Sequence, residues 1–153
     1  MHTWFECKIQ YEKTMENGMN KKVTEPYLVD ALSFTEAEAR IIEEMTPYIS
    51  GEFTVSDIKR ARYSELFFAE DTESDRWFKC KLTFITLDEK SGSEKKTSTN
   101  VLVQASDLRD AVKKLDEGMK GTMADYQIAS VAETAIMDVF FYQAPDAKPE
   151  VKE

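Results

Sequence analysis

The strongest constraint on the fold is an internal repeat in the sequence. The segment 4–8, Trp-Phe-Glu-Cys-Lys, returns 73 residues later at 77–81 as Trp-Phe-Lys-Cys-Lys. Further along, Leu-Val-Asp-Ala at 28–31 returns 74 residues later at 102–105 as Leu-Val-Gln-Ala. The extra residue falls in a turn between the matched segments, where loops tolerate insertions. Because the matches keep their order along the chain, the sequence predicts an internal duplication.

The pattern of apolar residues predicts the same elements in each repeat. In the first repeat, Phe5 and Cys7 alternate with polar residues, as in a half-buried β-strand. A polar stretch containing Gly18 then turns the chain into a second strand. Ser33, with Glu36 three residues later, forms a capping box that marks the start of a helix. A long extended segment closes the repeat, either as one bent strand or as two short ones, so the order is β-β-α-β.

A unit of about 70 residues has only a marginal core of its own. Pairing two such units would bury both apolar helix stripes against sheet. We therefore predict an α+β fold in which duplicated β-β-α-β units pack with pseudo-twofold symmetry into one domain. The predicted boundaries are repeat 1 at about 3–68, an exposed linker at 69–75, repeat 2 at about 76–142, and a disordered tail at 143–153.

Charge and hydropathy narrow the classes of partner. The chain has 153 residues, with 20 Lys and Arg against 29 Asp and Glu, a formal net charge of -9. A protein that grips duplex DNA through its phosphates is usually basic overall, so this balance argues against duplex DNA. No apolar run reaches the roughly 18 residues of a membrane span, and the first residues lack the pattern of a signal peptide. The sequence predicts a cytoplasmic protein with no membrane partner.

No residue pattern predicts an enzyme, a metal site or a cofactor. One histidine, His2, and two cysteines fall short of the roughly four ligands of a zinc site. Cys7 and Cys80 occupy equivalent strand positions, and we predict that both are buried thiols packed as small apolar side chains. The sequence also lacks phosphate-binding, dinucleotide-binding and nucleophile-elbow motifs. We expect no catalytic residue and no cofactor.

The first strand of each repeat offers a candidate binding face. By alternation, Trp4 and Lys8 in repeat 1 point away from the core, as do Trp77, Lys79 and Lys81 in repeat 2. Tryptophan beside lysine on a sheet face can bind single-stranded nucleic acid, because each base stacked on an aromatic ring contributes about 1–3 kcal/mol. Alternatively, the two rings cover a second core layer or a homo-oligomer interface, where tryptophan is also favoured.

A basic segment at the end of repeat 1 is the second candidate. It contains Lys59, Arg60, Arg62 and Tyr63, whereas the corresponding residues 132–136 of repeat 2 are neutral or acidic. Packing alone would not require this difference. We therefore hypothesise a non-enzymatic binding or assembly module with single-stranded nucleic acid or a protein as its partner, expected to be a homo-oligomer such as a dimer. The alternative is a purely structural or protein-binding role that uses the tryptophan face as a homo-oligomer interface.

Three segments carry a resemblance to a known family: residues 4–8, Lys-Lys-Val-Thr-Glu-Pro-Tyr-Leu-Val-Asp-Ala at 21–31, and Phe-Thr-Glu-Ala-Glu-Ala at 34–39. They resemble an uncharacterised family, number 4494 among the domains of unknown function, found in gut anaerobes and their phages. The resemblance extends to about Tyr142. It implies no activity, cofactor or catalytic residue.

Overall fold

The computed structural model describes residues 3–122 and 125–142. His2 and the predicted tail at 143–153 lie outside the described residues. The described chain is an α+β fold with two sheets and two helices. Its elements follow in the order β1 (Trp4–Thr14), β2 (Asn20–Asp30), α1 (Phe34–Met45), β3 (Phe53–Ala61), β4 (Glu65–Phe67), β5 (Arg76–Leu87), β6 (Glu94–Ala105), α2 (Leu108–Gly118), β7 (Asp125–Glu133) and β8 (Val139–Phe140).

The described chain divides into two compact units. Of the described residues, unit 1 contains 3–62 and 135–142, and unit 2 lies within Tyr63–Thr134. The sheet of unit 1 has the order β3-β1-β2-β8, and β8 is the one strand that pairs in parallel. The sheet of unit 2 has the order β4-β6-β5-β7, with β4 as its parallel strand. Read from opposite ends, the two sheets have the same order of corresponding strands.

The last strand of each sequence repeat belongs to the unit built mainly by the other repeat. β4 lies within 3–68 of the sequence but pairs with β6 in unit 2, and β8 lies within 76–142 but pairs with β2 in unit 1. The compact units therefore differ from the contiguous repeats. A tight hairpin cannot join two parallel strands. The parallel neighbour of β2, which is β8, is therefore supplied by a distant part of the chain. The long closing segment of each repeat is thus two strands, one in each unit.

Local sequence signals position the hairpins and helices as predicted. The two β-hairpins turn on Gly18 and Gly92, whose φ angles of 84° and 74° suit glycine. Ser33 caps α1, because its hydroxyl accepts the Glu36 N–H at 3.1 Å. Asp107 caps α2 through an oxygen that accepts the Asp110 N–H at 2.8 Å. Among the described residues, neither helix has the length and apolar character needed to cross a membrane.

Each helix packs its apolar stripe on one face of its own sheet. In unit 1 this core consists of Phe5, Cys7, Ile9, Tyr27, Val29, Ala31, Ala37, Ile41 and Met45. In unit 2 it consists of Phe78, Cys80, Leu82, Val101, Val103, Ala105, Ala111 and Leu115. The opposite face of each sheet carries Trp4 or Trp77 and the candidate lysines of β1 and β5.

Candidate functional site

The two repeated tryptophans are buried. Trp4 is 5% exposed and Trp77 is 2% exposed. The Trp4 ring stacks on Phe141 with 5.9 Å between centroids, and Trp77 meets Phe68 edge to face at 5.5 Å. These rings form part of a second apolar layer on the sheet face opposite the helix. The stacking platform predicted from alternation is thereby corrected, because neither ring is open to a base or to another chain from solvent.

The aromatic partners of the tryptophans follow β4 and β8. We call these two strands the exchanged strands, because each pairs in the unit that is built mainly by the other repeat. Phe141 directly follows β8, and Phe68 directly follows β4. The two contacts occupy equivalent positions, since 73 residues separate both the tryptophans and the phenylalanines. Alternation predicted which face the tryptophans occupy, but it could not reveal that a segment from the other repeat covers that face. The repeated tryptophan is explained by its contact with the exchanged strand.

On the same face of unit 2, Lys79 and Lys81 are exposed. They stand two residues apart on β5, the central strand beside β6 and β7, so their Cα atoms are about 6.8 Å apart. In the part of the chain that the structure describes, neither ammonium has a carboxylate within ion-pair distance. Their cross-strand neighbours are uncharged: Leu102, Ala132, Asn100 and Ser130. We call Lys79 and Lys81 the lysine pair.

The corresponding face of unit 1 is electrically balanced. Glu6 stands opposite Lys59, and Lys8 stands opposite Asp57. Opposite charges placed directly across an antiparallel pair attract each other by about 0.2–1 kcal/mol. Lys8 and Lys59, both predicted binding residues, therefore each face a residue of opposite charge. This arrangement makes the unit 1 face a weaker attractor of anions than the lysine pair.

The basic segment at the end of repeat 1 does not form one surface. Arg60 pairs with Phe5 and Lys59 with Glu6, so the two basic residues emerge on opposite faces of the sheet. Arg62 is the last residue of its part of unit 1, and the half-buried Tyr63 is the first residue of unit 2. Lys59 and Arg60 thus lie on opposite faces of the sheet, as alternation along this strand predicts.

The two cysteines are free and buried, as predicted. Burial raises the pKa of Cys7 to about 12, with a further contribution from the nearby carboxylates of Glu6, Asp57 and Glu38. Burial also raises the pKa of Cys80 to about 11. Because the thiolate is the reactive form, both groups are poor nucleophiles at neutral pH. They serve as small apolar side chains in the two cores.

Thiol labelling provides the first testable prediction. In the native protein, both cysteines should react with a disulfide reagent on the order of a hundredfold more slowly than a free thiol, because access and ionisation are both suppressed. In denaturant, two thiols per chain should react at the rate of a model peptide. A native-state reaction as fast as that of a peptide would contradict the burial of the reacting cysteine.

A serine–lysine contact in unit 2 was not apparent from the sequence. Lys114 Nζ lies 2.5 Å from Ser74 Oγ, 2.7 Å from Asp71 Oδ2 and 3.0 Å from Asp110 Oδ2. A serine beside a neutral lysine can act as a nucleophile and base. Here partial burial disfavours the charged lysine, but hydrogen bonds to Asp71 and Asp110 prevail and raise the pKa of Lys114. The lysine therefore stays protonated and cannot accept the Ser74 proton.

The same contacts concern residues 69–75, the predicted exposed linker. Residues 70–73 and 75 are exposed, whereas Ser74 is buried and Asp71 pairs with Lys114 of α2. The N–H of Ala69 donates to Gln104 Oε1 at 2.9 Å. This segment is thus fastened along unit 2, and the cluster around Lys114 has a structural role. In residues 3–122 and 125–142, no three His, Cys, Asp or Glu side chains are arranged to hold a metal ion.

Comparison with known proteins adds one finding to this geometry. Neither the curated proteins nor the solved structures yield a match to the chain. A family model does match, and it covers residues 3–142, which include all ten elements of both units. The chain belongs to the family described as domain of unknown function DUF4494.

Proposed function

We propose that this protein is a non-enzymatic binding module that engages single-stranded nucleic acid through the sheet face around the lysine pair. The observation that carries the proposal is the position of Lys79 and Lys81. Both are exposed on one strand, and no acidic residue stands across from either of them. The pair forms a local positive site in a chain with a net charge of -9, and a local positive site suits an anionic partner.

The comparison with unit 1 supports an anionic ligand. Lys81 corresponds to Lys8, but Lys79 replaces Glu6, and the residues across from the lysine pair have lost the Asp57 and Lys59 charges. With the tryptophans buried, the interaction relies on phosphate contacts rather than on stacking. Two such contacts to a single strand give a salt dependence with a slope of about -1.4 in a plot of log affinity against log salt.

A titration of a labelled single-stranded oligonucleotide at two salt concentrations tests the proposal. The Lys79→Glu/Lys81→Glu variant should bind at least about tenfold more weakly, because two phosphate contacts become repulsions. The matched control is Lys113→Glu/Lys120→Glu, which changes the net charge equally at exposed positions of α2 and just beyond it. The control should bind within about threefold of the wild type.

Two results would contradict the nucleic-acid proposal. One is the absence of salt-sensitive binding by the wild type at roughly tens of micromolar protein. The other is an equal loss of affinity in both charge-reversed variants, because that would reflect net charge rather than the lysine pair.

A protein-binding or assembly role is the second candidate. The observation that favours it is the outer edge of β7, which has no strand partner in the described part of the chain. Its central residues are small, with Ala129, Ser130 and Ala132 exposed. An exposed strand edge can add a strand from another chain through main-chain hydrogen bonds. In this case light scattering would report a complex whose mass does not depend on Lys79 or Lys81.

We also infer that the two sequence repeats, at about 3–68 and 76–142, are copies of one ancestral β-β-α-β unit. This inference is supported by the matched sequence segments, the equal order of corresponding strands, and the buried tryptophan and cysteine at equivalent positions. The pseudo-twofold packing expected from the sequence is part of this proposal and rests on the repeat.

We further propose a cytoplasmic location, which is supported by the free thiols of Cys7 and Cys80.

A further inference from the structure

The last described segment of unit 1, residues 135–142, pairs with β2, although no hairpin joins it to that strand. In this segment, which we call the exchange segment, Val139 and Phe140 pair in parallel with Leu28 and Val29. Two further backbone bonds fasten it: the Leu28 N–H donates to the Asp138 carbonyl at 3.0 Å, and the Met137 N–H donates to the Pro26 carbonyl at 2.8 Å. The exchange segment thus pairs with β2 through noncovalent bonds, and it follows β7 along the chain.

Four side chains of unit 1 form a groove that fits the end of the exchange segment. Asp30, which is 2% exposed, accepts the Tyr142 N–H at 2.7 Å. The Arg40 guanidinium lies 4.5 Å above the Tyr142 ring and 3.6 Å from the Asp30 carboxylate. The Tyr142 hydroxyl donates to Glu44, and Trp4 stacks on Phe141. We call Trp4, Asp30, Arg40 and Glu44 the acceptor groove.

Few residues separate the last backbone hydrogen bond in unit 2 from the first backbone hydrogen bond that the exchange segment makes in unit 1. The Thr134 N–H donates to the Trp77 carbonyl at 2.8 Å, and Met137 is already bonded to Pro26. Only two residues, Ala135 and Ile136, lie between these anchored positions. Short hinge segments favour the exchange of identical elements between chains, because opening the hinge relieves the constraint on the connection.

We infer that the acceptor groove also binds the exchange segment of a second copy of this chain, giving dimers in which each copy completes unit 1 of the other. The occupant of the groove belongs to this sequence, so a second copy presents the same backbone register and the same Phe141 and Tyr142 side chains. Exchange of an identical element keeps every contact and opens only the hinge. The inference goes beyond the proposed nucleic-acid function and does not depend on it.

A disulfide trap distinguishes exchange from ordinary association. Leu28 and Val139 are direct partners in the parallel register, so the Leu28→Cys/Val139→Cys variant places two thiols at a separation that a disulfide can span. Within one chain the bond yields a covalent monomer, whereas across a strand-exchanged dimer it yields a covalent dimer. The exchange segment of the same chain occupies the groove at an effective concentration in the millimolar range, and the segment of a second copy has to compete with it. We therefore expect the fraction of covalent dimer to increase with the protein concentration during oxidation.

The trap has clear controls. Leu28→Cys and Val139→Cys alone should give no covalent dimer above the amount seen with the wild type, which contains the buried Cys7 and Cys80. Covalent monomer alone, at every concentration up to about millimolar, would overturn the inference.

Complementation gives a second measurement should the trapped variant fail to fold. Phe141→Ala/Tyr142→Ala leaves the acceptor groove intact and weakens the exchange segment, whereas Asp30→Ala/Arg40→Ala does the reverse. When the two variants are mixed, native mass spectrometry should detect about fivefold more heterodimer than either homodimer, because only the mixture contains one complete pair of groove and segment. A chain with all four changes, mixed with either variant, should give no such excess. Equal amounts in all the mixtures would contradict the exchange.

Discussion

Replacement of Trp4 or Trp77 by alanine is expected to lower the free energy of unfolding by about 3–5 kcal/mol. Both rings are almost completely buried, so alanine would leave a large cavity beside the sheet. Each substitution would also remove an aromatic contact, to Phe141 for Trp4 and to Phe68 for Trp77, which is worth about 0.5–1.5 kcal/mol beyond burial alone. Guanidinium unfolding measures the effect as a lower transition midpoint at an unchanged slope.

An exposed aromatic residue provides the control for this prediction. Tyr48 is 75% exposed, and Tyr48→Ala should change the free energy of unfolding by no more than about 0.5 kcal/mol. Trp4→Phe should lie between the wild type and Trp4→Ala, because it keeps an aromatic ring against Phe141. If Trp4→Ala unfolded at the wild-type midpoint and only oligonucleotide binding fell, the ring would be a surface ligand and the second apolar layer would be wrong.

The local elements of the fold could be predicted because their signals are local. Alternation across β1 and β5 placed Cys7 and Cys80 in the cores, and the capping box at Ser33 and Glu36 marked where the first helix begins. Each of these signals spans only a few residues and is determined by backbone geometry. The same alternation put Lys79 and Lys81 on the face where the structure exposes them.

The strand exchange could not be predicted from the sequence. β4 has three residues and β8 has two, too few for a pattern of alternation to identify a partner. Their parallel partners lie far away in the chain, so the repeat alone does not specify which copy supplies the last strand. The burial of Trp4 and Trp77 depends on that choice, because Phe141 and Phe68 arrive with the exchanged strands. The sequence alone therefore allowed both an exposed face and a covered one.

Removal of the Asp30 carboxylate should have a larger effect than removal of its counterpart in unit 2. Gln104 stands at the equivalent position, and its side-chain oxygen accepts the Ala69 N–H as Asp30 accepts the Tyr142 N–H. Asp30 is fully buried, and its loss removes one of the two carboxylates that pair with Arg40, the other being Glu36 at 3.2 Å. We expect Asp30→Ala to cost about 2–4 kcal/mol of unfolding free energy, since Arg40 is partly exposed, and Gln104→Ala to cost about 1–2 kcal/mol.

Two variants separate the charge of Asp30 from its hydrogen bond. Asp30→Asn keeps an oxygen that can accept the Tyr142 N–H but removes the negative charge. The unfolding free energy lost in Asp30→Asn therefore measures the ion pair with Arg40. In Asp30→Ala/Arg40→Ala both partners of this ion pair are absent, and the combined loss should be smaller than the sum of the two single losses by about 0.5–3 kcal/mol. Strict additivity, together with equal losses for Asp30→Ala and Gln104→Ala, would mean that the Asp30 carboxylate contributes only as a hydrogen-bond acceptor for Tyr142, as the Gln104 amide does for Ala69 in unit 2.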